Sequence, residues 1–147
     1  MKIRNGFVSN SSSSSFVVIV KNGEELKNEN LMEIFDVKES SPLYSFAKDL
    51  ANWISNNVKE MDIKEIHDNF VGNYKKLPLT EDEMIKEIID DYGGMSEEDL
   101  NKVKNKDYRY YYGSAANDSG EAIESYLCES ELDIDTDLIK IQSDGGY

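Results

Sequence analysis

Phe16-Val17-Val18-Ile19-Val20 sets five β-branched or aromatic residues side by side near the start of the chain. No polar residue interrupts the run, so both faces of the segment must be covered if it is a strand. It ends at Lys21-Asn22-Gly23, a turn signal. The chain must therefore fold around an internal strand, and it needs other strands to pair with it. Tyr108-Arg109-Tyr110-Tyr111-Tyr112 is one by composition, and Leu138-Ile139-Lys140-Ile141 is a second.

The segments between these strands carry helical spacing. Leu26, Leu31, Ile34 and Phe35 predict a short helix over about 24–35. Ser41-Pro42 predicts the start of a longer one, with serine as cap and proline in the first turn. Its stripe is Leu43, Phe46, Ala47, Leu50, Ala51, Ile54, Val58 and Met61. A further helix is expected over about 62–76. Thr80-Glu81-Asp82-Glu83 is a capping box opening another, with Gly93-Gly94 at its end. Ser96-Glu97-Glu98-Asp99 caps a short one. Gly113 to Gly120 reads as a turn-rich loop, within which Asp118 can cap a last helix, with Glu121 three residues on.

Strand, several helices, strand, helix, strand is the order of an α+β protein. The expectation is a small three- or four-stranded sheet with a helical insertion of three to five helices. All 147 residues fit one domain. Its parts are an N-terminal strand region over 1–23, a helical part over about 24–106 and a strand–helix–strand portion over about 107–147. That last portion is long enough to form a parallel crossover.

The net charge is −14 and unevenly placed. Residues 1–23 hold Lys2, Arg4 and Lys21 and no acid, a net of +3, which leaves −17 on the rest. Residues 81–99 and 110–139 each carry −8. Such a chain repels phosphate backbones, so direct nucleic-acid binding is not expected. Its ordinary use is a solvated face; its sharper use is docking on a basic protein. One cysteine, Cys128, permits no internal disulfide and fits a reduced, intracellular setting. No apolar stretch reaches membrane-spanning length. The basic opening Met1-Lys2-Ile3-Arg4 runs into serines, not into the apolar stretch of a signal peptide.

No coherent catalytic set emerges, so the reading leans away from an enzyme, with no cofactor and no metal. His67 is the only histidine and is expected at the surface or a boundary. Cys128 sits among Glu129 and Glu131, which oppose a thiolate. Asp133-Ile134-Asp135-Thr136-Asp137 resembles the opening of a calcium loop. Leu138, however, stands where the sharp turn needs glycine, and Asp144 where a bidentate glutamate belongs. A strand edge with its acids in water explains the alternation equally well.

Ser11 to Ser15 form the one low-complexity run, and it lies in the acid-free corner of the chain. Arg4, Gly6, Phe7, Val8, Ser9, Asn10, the five serines and Phe16 resemble the N-terminal signature of an uncharacterised family of phage and prokaryotic proteins. That signature reads Arg-x-Gly-Phe-Val-Ser-Asn-Ser-Ser-Ser-Ser-Ser-Phe, beginning almost at the initiator methionine. A weaker similarity covers the strand–Asp-Ser-Gly-Glu–helix portion about Tyr110 to Leu127. Some members end in a histidine-bearing tail; here Gln142 to Tyr147 contains none. The resemblance implies a phage or mobile-element setting, hence the cytoplasm of a bacterial host, and no particular activity.

Three functions are expected from these features. The first is a non-catalytic phage or prophage accessory protein that binds a basic host protein through its acidic surface, in its most concrete form a nucleic-acid-mimicking inhibitor. Its interaction residues would be Glu81, Asp82, Glu97, Glu98, Asp99, Tyr110, Tyr112, Asp118, Glu121 and Glu124. The second is a binder of a small anionic ligand, or an enzyme, with a site made by Arg4, Asn10, Ser11, Ser12, Ser13, Ser14 and Ser15. The third is a virion or assembly component, which leaves oligomerisation open.

Overall fold

A computed structural model describes residues 2–3, 13–72, 79–91, 95–116, 122–131 and 133–143. The chain is α+β, with a five-stranded antiparallel sheet. The elements are β1 (Lys2–Ile3), β2 (Ser13–Lys21), α1 (Asn28–Phe35), α2 (Tyr44–Asn56), β3 (Val58–Met61), α3 (Ile63–Phe70), α4 (Glu81–Asp91), α5 (Glu97–Lys104), β4 (Tyr108–Ala116), α6 (Ala122–Glu129), β5 (Ser130–Glu131), β6 (Asp133–Asp135) and β7 (Ile139–Ser143). Five helices thus separate β2 from β4. The sheet order is β3-β4-β2-β7-β6, and β1 and β5 form a separate two-stranded pair.

β2 is the central strand, and Phe16 to Val20 are all buried, as a run without alternation requires. Its register with β7 is antiparallel, with Val18 opposite Ile141 and Val20 opposite Ile139. Opposed residues share a face. Phe16, Val18, Val20, Ile139 and Ile141 therefore make one apolar surface, packed with Leu31, Leu50, Ala51, Ile54 and Leu127. Each large side chain buried there contributes roughly 1.5–3 kcal/mol. After β2 the chain turns at Gly23, whose φ of +99° suits a residue without a Cβ.

The sheet is wider than three or four strands because two segments with weak strand signals join it. Val58 and Met61 continue the spacing of the α2 stripe, which predicts helix. The helix instead stops at Asn56, where Asn56 and Asn57 side-chain amides donate to the carbonyls of Asn52 and Trp53 at 2.9 and 2.8 Å. Val58–Met61 then forms β3. At the other edge, Asp133-Ile134-Asp135 is β6, paired with β7 so that Ile134 opposes Ile141 and Asp135 opposes Lys140. Ile134 packs against the core while Asp133 and Asp135 are exposed.

Other boundaries also shift. The start of α2 lies at Tyr44, and Ser41 does not cap it: the N-cap position falls on Leu43, whose N–H donates to Ser41 Oγ at 3.1 Å in the turn before the helix. β4 runs on to Ala116, four residues into the expected loop, because Ala115 is buried in the core. β4 and β7 are not neighbours, since β2 lies between them. The closing strand–helix–strand is therefore not a pair of adjacent parallel strands.

The chain divides into two compact units, residues 1–59 with 111–147, and residues 60–110. The expected helical part, about 24–106, is thus split: α1 and α2 belong with the sheet, and α3, α4 and α5 form the second unit. The core of that unit includes Ile63, Ile66, Ile85, Ile88, Leu100 and Val103. Among the described residues no helix is long and apolar enough to cross a membrane.

Candidate functional site

The acids at 81–99 have a local structural cause. Thr80 and Glu83 form the expected capping box: the Glu83 N–H donates to Thr80 Oγ1 at 3.2 Å, and the Thr80 N–H to Glu83 Oε1 at 3.0 Å. Glu81, Asp82 and Glu83 then occupy the positive end of α4. Ser96 caps α5 in the same way, accepting from the Asp99 N–H at 3.1 Å, with Glu97, Glu98 and Asp99 in the first turn.

Glu81, Asp82, Glu97 and Glu98 are exposed; Asp99 is half-buried. Two of them are held by lysines. Lys104 Nζ lies 2.8 Å from Asp82 and Lys102 Nζ 3.2 Å from Glu98. The hydrogen bond to Glu98 is the main reason that the Lys102 pKa is raised. Its ammonium also sits 5.0 Å from the centre of the Tyr108 ring.

The Asp82–Lys104 pair brings the end of α5 to the start of α4, so the two helices run antiparallel. Between them lies an open groove of about 600 Å³. Ile85 and Ile89 belong to its lining, with Asp82 and Asp90 on one wall and Glu97 and Lys104 on the other.

His67 is not at the surface. It is 5% exposed, on the face of α3 that meets α4. Its Nε2 donates to Glu87 Oε1 at 2.8 Å, and Nδ1 lies 3.7 Å from Asp68. The α3 stripe Ile63, Ile66, His67 explains the burial. A group buried in this way packs two helices together. Among the described residues no three His, Cys, Asp or Glu side chains come close enough to hold a metal.

Ser13, Ser14 and Ser15 belong to β2, so this half of the serine run continues the core strand. Arg4, Asn10, Ser11 and Ser12 lie outside the described residues, as do Asp118 and Glu121. Glu124 lies on α6, half-buried. In the antiparallel sheet the start of β2 coincides with the end of β7, where Phe16 opposes Ser143, and with the end of β4, where Gly113 lies against Phe16. Ser13–Ser15 and Ala116 therefore stand at one end of the sheet.

Tyr110 needs correction as an interaction residue: it is 0% exposed and serves packing, while Tyr112 is half-buried. Alternation in β4 turns Tyr111 to the core beside the sheet and Tyr110 to the opposite face.

One cavity escaped the sequence. Ile34, Phe35, Leu43, Phe46, Tyr126 and Ile134 are among the residues lining an apolar pocket of about 340 Å³. Phe46 and Tyr126 meet there edge to face at 5.0 Å, and Leu43 stands 63% exposed. Helical spacing assigns Ile34, Phe35, Leu43 and Phe46 to core stripes; it cannot tell a filled core from an open one. The only local signal is Leu43, an apolar residue placed just before its helix.

Compared with models of known protein families, with curated proteins and with solved structures, the chain matches none.

Proposed function

We propose that the protein is a non-catalytic interaction protein that binds a basic protein through its acidic surface. The observation that carries this reading is the exposure of Glu81, Asp82, Glu97 and Glu98 on the first turns of two packed helices. Residues 81–104 carry nine acids and three bases, a net of −6 on one antiparallel helix pair. Such a field draws cationic partners and turns phosphate backbones away. Taken with the N-terminal resemblance, the setting we propose is a phage or prophage accessory protein in a bacterial cytoplasm, its target a host protein. Its sharpest form is an inhibitor that presents carboxylates where the target expects phosphates.

Capture of host-lysate proteins on the immobilised protein tests this. A basic protein should be retained at low salt, released as salt rises, and displaced by duplex DNA if the acids imitate phosphates. Retention of nothing basic at either ionic strength refutes the reading.

The convergence of strand ends around Ser13–Ser15 favours a second reading, an anionic-ligand site at the serine run. Alanine at Ser11 to Ser15 should then abolish binding of inorganic phosphate with little change in melting temperature. Loss of the fold instead makes the run purely structural.

A further inference from the structure

We propose that the α4–α5 groove is the docking site, and that its occupant is a short amphipathic helix whose apolar stripe is flanked by lysine or arginine. This rests on the acidic-surface reading and names the element that the surface would take.

The groove supplies both halves of such a contact. Ile89, half-buried, is the apolar side chain on α4 open to the groove, with the core residue Ile85 one turn away beneath it. From Asp82 to Asp90 the groove runs about 12 Å, the length of two helical turns. A third helix laid between two antiparallel ones meets a ready-made furrow and buries residues spaced three or four apart.

Charge decides what kind of helix it is. At one end Asp82 is occupied by Lys104 at 2.8 Å. At the other, Asp90 and Glu97 face the groove from opposite walls, and among the described residues neither is paired with a base. Lys86 lies between, one turn from both Asp82 and Asp90, and offsets a single charge. A purely apolar occupant would desolvate Asp90 and Glu97 with nothing in return. An acidic or phosphorylated one would be repelled. A lysine or arginine can rest its aliphatic stem on Ile89 and present its charge to the two carboxylates.

The test uses the full chain and labelled peptides of about 12 residues, read by fluorescence anisotropy. One is an amphipathic Leu/Lys helix, one a scramble of the same composition, and one the helix with Glu for Lys. The amphipathic Lys peptide should bind, with affinity falling as salt rises, and the other two should bind at least about tenfold more weakly. Asp90→Lys with Glu97→Lys should weaken it by about tenfold or more. Glu33→Lys with Glu39→Lys changes the net charge equally at exposed positions outside the groove and should weaken it far less. Should the first pair disturb the circular dichroism spectrum, Asp90→Asn with Glu97→Gln replaces it, with the same direction expected.

Equal weakening by the groove pair and the distant pair, or equal binding of the scramble, overturns the groove while leaving the acidic-surface reading intact. Failure of every cationic peptide, together with an empty lysate capture, removes both.

Discussion

The ring of Phe16 occupies the space that a side chain at Gly113 would need. A Cβ built on Gly113 would lie 2.7 Å from Phe16 Cε1 and 2.8 Å from the Asn57 carbonyl oxygen. Phe16 is 1% exposed and its ring packs on Trp53 at a centroid distance of 5.4 Å, so it has nowhere to retreat. Gly113→Ala should therefore destabilise the protein by about 1–3 kcal/mol, measured by urea unfolding. Phe16→Leu in the same chain should recover part of that loss, giving a double-mutant coupling of about 0.5 kcal/mol or more. Strict additivity would show that the two residues do not compete for one space.

His67 and Glu87 join α3 to α4. Glu87→Ala takes the 2.8 Å acceptor from a buried imidazole, and a loss of about 1–3 kcal/mol is expected. Glu87→Gln keeps an acceptor oxygen and should cost less. If both variants unfold with the wild-type midpoint, the pair does not stabilise the unit.

Capping makes a smaller, local prediction. Ser96→Ala removes the acceptor for the Asp99 N–H, and Thr80→Ala the acceptor for the Glu83 N–H. Each should lower stability by about 1 kcal/mol. Ser96→Asp restores an acceptor and should rescue. The same loss from Ser45→Ala, at an exposed helix position, would deny the caps any special role.

Calcium should not bind at Asp133–Asp137. Asp133 and Asp135 are on an antiparallel edge strand, opposite Gln142 and Lys140, and Lys140 Nζ lies 3.8 Å from Asp135. Millimolar calcium should leave the melting temperature unchanged apart from the screening that magnesium produces equally. A saturable shift specific to calcium would contradict this geometry.

Much of the local structure is legible in the order of residues. The uninterrupted run Phe16 to Val20 could only be an internal strand, because each of its faces is apolar. Thr80 and Ser96 mark helix starts through bonds that reach three residues along the chain. The clustering of Glu81, Asp82, Glu97 and Glu98 at those starts follows from the same chemistry. An α+β class follows from the order of the elements.

Tertiary structure decided the rest, because spacing reports which side of an element is apolar and not what that side meets. Val58 and Met61 keep the rhythm of α2, yet they form a strand beyond two asparagines that close the helix. Strand alternation puts Tyr110 and Tyr111 on opposite faces, but packing alone decides that Tyr111 meets the sheet core and that Tyr110 is sealed on the other side. His67 looks polar in a list of residues and is buried because Glu87, a full helix away, supplies its partner. Gly113 reads as a loop residue until Phe16, far earlier in the chain, is laid against it. The groove between α4 and α5 belongs to neither helix by itself; it exists only because the two helices pack side by side.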